Sequence, residues 1–167
     1  EFLNHKINKE GKKFDPIIDD WIDHISTLFP QVRLKKYLEL RSMDACSWNV
    51  LCAQPALWVG LLYDSDSLLE VLEICNEWSN EDRLYLYDNV YKYGLQTNFK
   101  NGTVLDIAKK IIEISYKGLQ KRNKISKSGY NETKYIEKIK ENIEYGFSPA
   151  DILINQYKSE NKKFINL

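Results

Sequence analysis

The sequence predicts an α+β fold that is mostly helical and contains one clear strand. Apolar residues recur at helical spacing through most of the 167-residue chain, whereas a single stretch, residues 32–44, alternates with a period of two. A content of 43% hydrophobic and 13% aromatic residues is typical of a folded chain, and the length suits one domain better than two.

The first predicted helix follows a polar segment, residues 1–14, that has no period and is expected to be a tail or a connection from an upstream region. Residues 15–167 then form one folded part. Asp15 is predicted to cap the helix, with Pro16 in its first turn, and Pro30 to stop it. Its apolar stripe comprises Ile18, Trp21, Ile22, Ile25, Leu28 and Phe29.

The predicted strand has one apolar and one ionic face. The leucines of residues 32–44 share one parity, and the other parity carries Arg33, Lys35, Tyr37, Glu39 and Arg41. A lone strand cannot satisfy its own edges or bury its apolar face. We therefore expect it to pair with strands outside this sequence, in preference to being covered irregularly by the helices.

The rest of the chain is predicted to be helical. Residues 48–63 form an apolar helix that Pro55 should kink or divide, and a helix over residues 65–78 follows. Ser79 and Asp82 resemble a capping box, and Gly94 ends the helix that they begin. Three further helices are predicted. The first starts after Gly102, the second carries an apolar stripe that contains Ile139, and the third starts at Ser148-Pro149.

Charge and composition exclude several classes of function. Lys plus Arg and Asp plus Glu number 24 each, so the surplus of positive charge that a general nucleic-acid binder carries is absent. No apolar run reaches the roughly 18 residues of a membrane span, so we expect no membrane partner. Without a signal peptide or a C-x-x-C pair, the sequence predicts a cytoplasmic location and no structural zinc.

The ionic face of the strand is the strongest candidate for chemistry. Tyr37, Glu39 and Arg41 are predicted to project from it about 6.6–7 Å apart. A carboxylate flanked by cations stays ionised and could hold Mg²⁺, and an arginine could clamp a carboxylate or phosphate. Spacing alone favours the alternative, a solvated sheet face with cross-strand ion pairs.

Four ordered segments resemble one family. DWIDHISTLFPQVRLKKYLELRSMD (20–44), LCAQPALWVGLLYD (51–64), YGLQTNFKNG (93–102) and YGFSPADILINQY (145–157) are similar to the glutamate–cysteine ligases of the plant and α-proteobacterial type. The resemblance covers about residues 15–160 and corresponds to the C-terminal third of the family chain. A start at Glu1 instead of Met also fits a fragment.

The resemblance implies a fold and an activity. The family carries out the first step of glutathione synthesis, in which ATP phosphorylates the glutamate side chain and the cysteine amine attacks the acyl phosphate, with Mg²⁺ bound. The active site of the family lies in a curved antiparallel sheet. The predicted strand would then be one strand of that sheet, contributed by the C-terminal portion of a larger enzyme. The N-terminal region of the same enzyme would then be a partner of this chain. We expect the chain alone to be inactive. Whether the protein forms a homodimer stays open.

The resemblance also implies roles for individual residues. The Tyr-Leu-Glu-Leu-Arg run over residues 37–41 matches a Y-[LI]-E-x-R motif of the ligases. Carried over, Glu39 is the metal ligand and Arg41 the catalytic anion clamp, and Tyr37 and Arg41 bind ATP.

The sequence departs from the family pattern just after this run. The plant-type R-G-A-D-x-x-P-W-R-R-L-C reads RSMDACSWNVLC here, so Ser42 replaces a glycine, and Asn49 and Val50 replace two arginines. Cys52 matches a cysteine of a regulatory disulfide whose partner lies upstream. Two alternatives therefore stay open: a non-catalytic helical interaction module built on the ligase scaffold, and a related carboxylate–amine ligase with another amine acceptor.

Overall fold

The computed structural model describes Gly11 and residues 16–44 and 46–161. The described residues up to Asp44 form one compact unit, and those from Cys46 onward form a second. Helices dominate, together with two small antiparallel sheets of two strands each, which confirms the predicted α+β class. None of the helices within these described ranges is both long and apolar enough to cross a membrane.

The first unit contains helix α1 (Ile18–Ser26) and strands β1 (Val32–Leu34) and β2 (Leu38–Leu40). The Asp20 carboxylate accepts a hydrogen bond from the Ile17 backbone N–H at 2.9 Å, which satisfies a free donor at the helix start. The predicted cap, Asp15, lies outside the described residues. The helix ends four residues before Pro30, so proline is not what stops it.

Residues 32–44 form a hairpin, and the prediction of one continuous strand is wrong. A turn over residues 35–37, closed by a hydrogen bond from the Lys35 N–H to the Tyr37 carbonyl at 2.8 Å, reverses the chain. β1 and β2 then pair antiparallel, with Leu34 opposite Leu38. These two leucines are 80% and 66% exposed, so the face predicted to enter the core is open here.

The second unit is built from helices joined by short connections. Helix α2 runs unbroken through Pro55, because a proline removes one helical hydrogen bond but leaves the neighbouring ones in place; the predicted division does not occur. The elements in chain order are α2 (Trp48–Leu62), α3 (Ser65–Asn76), α4 (Asn80–Tyr93), β3 (Asn98–Phe99), β4 (Gly102–Thr103), α5 (Val104–Arg122), α6 (Glu137–Glu144) and α7 (Pro149–Asn161), with 3-10 turns at Gly94–Gln96 and Glu132–Tyr135.

The predicted helix ends at Ser79, Gly94 and Ser148 are confirmed. The Asp82 N–H donates to the Ser79 hydroxyl at 3.1 Å, and the Ser79 N–H donates to the Asp82 carboxylate at 2.9 Å, a reciprocal capping box. Gly94 ends α4 with a φ of 54°, a left-handed conformation that glycine adopts without strain. Ser148 caps α7 through the same reciprocal exchange with Asp151.

Helices α2 and α5 cross closely at the centre of the second unit. The crossing is possible because Gly60 of α2 and Gly118 of α5 have no side chain at the point where the two backbones meet. Beside it, the buried Ser115 hydroxyl donates to the Leu57 carbonyl at 2.8 Å. The adjoining core consists of Ile112, Leu119 and Ile136, with smaller contributions from α2 and α6.

Candidate functional site

The hairpin places the three predicted site residues in and directly beside β2. Glu39 lies in the middle of β2, Arg41 follows the strand, and Tyr37 sits in the turn with an exposed side chain. The uninterrupted strand for which an even spacing was predicted is not present, because Tyr37 belongs to the turn. What remains is a compact group on the first unit, at and around β2.

Glu39 is paired with a residue that the sequence analysis did not connect to it. Arg33 lies directly opposite Glu39 in the register, and its Nε is 2.6 Å from Oε2 of the carboxylate. On a single strand the same two residues would be about 20 Å apart. The alternative of a cross-strand ion pair is thus observed for Glu39, and its partner could not be identified without knowing that the chain reverses at residues 35–37.

The charges around Glu39 keep it ionised. The hydrogen bond from Arg33 lowers the pKa of the Glu39 carboxyl, partial desolvation opposes this, and the positive charges of Arg33, Lys35 and Arg41 lower it further. The carboxylate therefore stands in a positive environment. Such an environment attracts a polyphosphate and disfavours a bare divalent cation.

Arg41 is held from two sides within the first unit. Its backbone N–H donates to the Gln31 carbonyl at 2.9 Å, and its Nη1 donates to the Leu28 carbonyl at 3.2 Å. The guanidinium carbon also lies 4.8 Å from the centre of the Phe29 ring, a cation–π contact. Because a guanidinium has five N–H donors, these contacts orient Arg41 and leave capacity to bind an anion.

The chemistry of the hairpin can be compared with what a magnesium ion requires. Within residues 16–44 and 46–161 no group of three or more His, Cys, Asp or Glu side chains could hold a metal ion. Mg²⁺ in nucleotide enzymes, however, uses one or two carboxylates together with water and substrate phosphates. Glu39 fits as one such carboxylate, for an ion that arrives with its phosphates.

The second unit contains a separate open cleft of about 620 Å³. One wall carries the carboxylates of Glu70 and Glu73 on α3 and of Glu77 directly after that helix. The apolar part contains Trp78 edge-on to Phe99, with ring centres 5.4 Å apart. The Lys100 ammonium at its border donates to the Glu77 carbonyl at 2.6 Å. None of the residues predicted for the site lines this cleft.

The two replaced arginine positions have different surroundings. Asn49 is exposed in the first turn of α2, whereas Val50 is buried in the second unit. Val50 therefore contributes to packing and cannot contact a phosphate. Cys52 is half-buried and has a free thiol.

The family model and the most similar relatives point to the same protein family. The model of glutamate–cysteine ligase family 2 matches residues 4–164. The chain is 40% identical to the chloroplastic glutamate–cysteine ligase A of Oryza sativa subsp. indica over 151 residues. This matched region is 90% of the present chain and 30% of the relative. Identity is 38% over 157 residues with the Solanum lycopersicum enzyme (94% and 29%) and 39% over 145 residues with that of Arabidopsis thaliana (87% and 27%).

These relatives bear on two further points. The chain spans less than a third of the length of each of them. All three carry the designation chloroplastic, so the predicted cytoplasmic location is contradicted by the relatives and is wrong as an inference from the missing signal peptide.

Proposed function

The chain belongs to glutamate–cysteine ligase family 2, and from this premise we propose that it forms part of an ATP-dependent ligase that joins the side-chain carboxylate of glutamate to the amine of cysteine. The observation that supports the proposal best is the anion-attracting group on the hairpin. There, an ionised Glu39 lies in β2 and an oriented Arg41 directly follows the strand.

The proposed reaction has two steps. A glutamate carboxylate oxygen attacks the γ-phosphorus of ATP, the bond from phosphorus to the bridging oxygen breaks, and ADP leaves. The cysteine amine then attacks the acyl carbon, a C–N bond forms, phosphate leaves with the C–O electron pair, and the amine proton passes to solvent. Both steps develop negative charge on phosphate oxygens, so fixed cations that face those oxygens lower the barriers.

Each site residue has a role in this scheme. Arg41, held by Leu28 and Phe29, binds the phosphate oxygens and stabilises their charge in the transition state. Glu39 provides one carboxylate for Mg²⁺, which when bound neutralises phosphate charge. Tyr37, exposed in the turn, provides a ring and a hydroxyl at the nucleotide.

The described residues supply only part of such a site, because Glu39 is the one hairpin carboxylate assigned to the metal. We infer that the other metal and glutamate ligands come from polypeptide beyond residues 1–167, which would correspond to the remaining length of the relatives. The 167-residue chain alone is then expected to show no ligase activity.

The test is made on the complete protein that carries this chain. ADP release that requires both glutamate and cysteine, together with formation of the dipeptide, would support the proposal. Glu39→Gln and Arg41→Ala should each lower kcat/KM by about 100-fold or more, equivalent to about 3 kcal/mol of transition-state stabilisation. Lys36→Gln, an exposed charge change in the turn, serves as the control. Turnover unchanged in both site variants would refute the assigned roles.

A second candidate function is favoured by the burial of Val50, where the plant pattern has an arginine. A chain that lacks this arginine, and with it any phosphate or surface contact that the arginine makes, could serve as a helical interaction module on the ligase scaffold. The same assay separates the two functions, because the module predicts no ADP release with any amine. Dipeptide formation from another amine, but not from cysteine, would instead indicate a related ligase.

A further inference from the structure

The contact between Arg33 and Glu39 is the feature of the site that the ligase motif does not contain. Arg33 lies on β1, six residues before Glu39, and reaches it only because the hairpin places the two residues directly opposite each other. Their side chains are 23% and 31% exposed, so the pair is partly shielded from water. At 2.6 Å between Nε and Oε2, this is a short, charge-assisted hydrogen bond.

The pairing has a geometric consequence for the carboxylate. The Nε bond engages Oε2, and the cross-strand register fixes the distance between the two backbones from which the side chains extend. The bond thereby limits the orientations of the Glu39 carboxylate, and Oε1 is the oxygen that the Arg33 Nε bond does not engage. Carboxylates that bind metals are commonly held in this way by a hydrogen-bonding partner, and loss of such a partner weakens metal binding.

We propose that Arg33 is a positioning residue of the ligase site: it orients the Glu39 carboxylate so that its second oxygen meets the magnesium–nucleotide complex. This inference rests on the proposed function and extends it to a residue outside the Tyr-Leu-Glu-Leu-Arg run. Arg33 does not itself touch substrate in this scheme. Its effect passes through Glu39.

The test uses the complete protein, with Mg²⁺ and a non-hydrolysable ATP analogue titrated together by calorimetry. Arg33→Met, which keeps much of the side-chain bulk and removes the donors, should weaken binding of the analogue about tenfold. Arg33→Lys should recover part of that loss, since an ammonium can still approach Oε2. Lys36→Met, the matched loss of an exposed positive charge in the neighbouring turn, should bind as the wild type does.

A double-mutant cycle distinguishes positioning from a general charge effect. If Arg33 acts through Glu39, the pair Arg33→Met and Glu39→Gln together should weaken binding no more than Glu39→Gln alone. If the double variant instead weakens analogue binding by the product of the two single-variant factors, Arg33 acts independently of Glu39, and the proposal is overturned. Tighter binding in Arg33→Met would overturn it too, because the ion pair would then compete with the metal. Circular dichroism of each variant, with Arg33→Lys as the milder change, shows that the fold is retained.

The outcomes also separate this inference from the proposed function. If the wild type binds the analogue and forms dipeptide while Arg33→Met matches it in both, the positioning role alone fails. If the wild type neither binds the analogue nor forms dipeptide, the ligase proposal fails and the positioning role falls with it. In the supporting case Arg33→Met raises KM for ATP more than it lowers kcat.

Discussion

The close crossing of α2 and α5 gives a sharp prediction for Gly118→Ala. A Cβ atom at position 118 would approach the carbonyl oxygen of Gly60 nearer than the 3.0 Å that real Cβ atoms keep, and would lie 2.8 Å from the Ser67 hydroxyl. The first of these neighbours is backbone, so it cannot rotate away. The two helices must therefore move apart at the centre of the second unit.

The magnitude follows from two opposing effects. Alanine in place of glycine in a helix interior normally stabilises the helix by about 1 kcal/mol. Overpacking of a well-packed interior costs about 1–3 kcal/mol, and more where backbone has to shift. We expect a net loss of about 2 kcal/mol in the free energy of unfolding, which corresponds to a fall of about 4–8 °C in Tm for a chain of this size.

Urea denaturation followed by circular dichroism measures this loss on the 167-residue chain. Lys117→Ala, at the exposed neighbouring position of α5, is the matched control and should stay within about 0.5 kcal/mol of the wild type. Gly60→Ala should also destabilise, and the double variant should lose less than the sum, because a single separation of the helices admits both methyl groups. A Gly118→Ala chain as stable as the wild type would refute the crossing geometry.

Three further predictions concern exposure, backbone conformation and pH. Leu38→Ala should change the free energy of unfolding of this chain by less than about 0.5 kcal/mol, because the side chain is exposed; a loss of 2 kcal/mol or more would show that the apolar face is covered. Gly94→Ala should cost about 1 kcal/mol in urea denaturation, because the position has a φ of 54° although space around it is open; an unchanged midpoint would contradict this. Hydrogen bonds within the first helical turn, from Ser67 to Asp64, from Ser79 to Asp82 and from Thr103 to Asp106, lower the pKa of these carboxyl groups below the ordinary 3.8. The folded state therefore binds protons more weakly, and the contribution of these groups to stability is lost as the pH falls below about 4. Urea midpoints from pH 6 to pH 2.5 should therefore fall, and Asp106→Asn should flatten the slope.

The alternation of residues 32–44 could reveal the faces but not the reversal of the chain. Leu34 and Leu38 are directly opposite each other across a three-residue turn, so they share a face in the hairpin just as they would on one strand. A period of two shows which residues share a face of a strand, but it does not show whether the chain continues or reverses between them. Arg33 and Glu39 therefore share a face, as predicted, whereas their direct contact was not predicted.

Local signals were more reliable than long-range ones. The Ser79 and Ser148 caps involve residues three positions apart, and their chemistry is legible in the sequence. The contacts of Arg41 with Leu28 and Phe29 depend on how the chain between α1 and β2 folds back, which no short pattern specifies. The roles of Tyr37, Glu39 and Arg41 stay predictions that rest on the family motif.

The pairing of α2 with α5 has a consequence during synthesis. Ser115 and its acceptor at Leu57 are 58 positions apart in the chain, so the apolar surface of α2 has no α5 to pack against until that much more polypeptide has emerged. At elongation rates of about 5–20 residues per second, this interval lasts about 3–12 s. Throughout it the apolar surface of α2 lacks the helix that covers it in the folded chain.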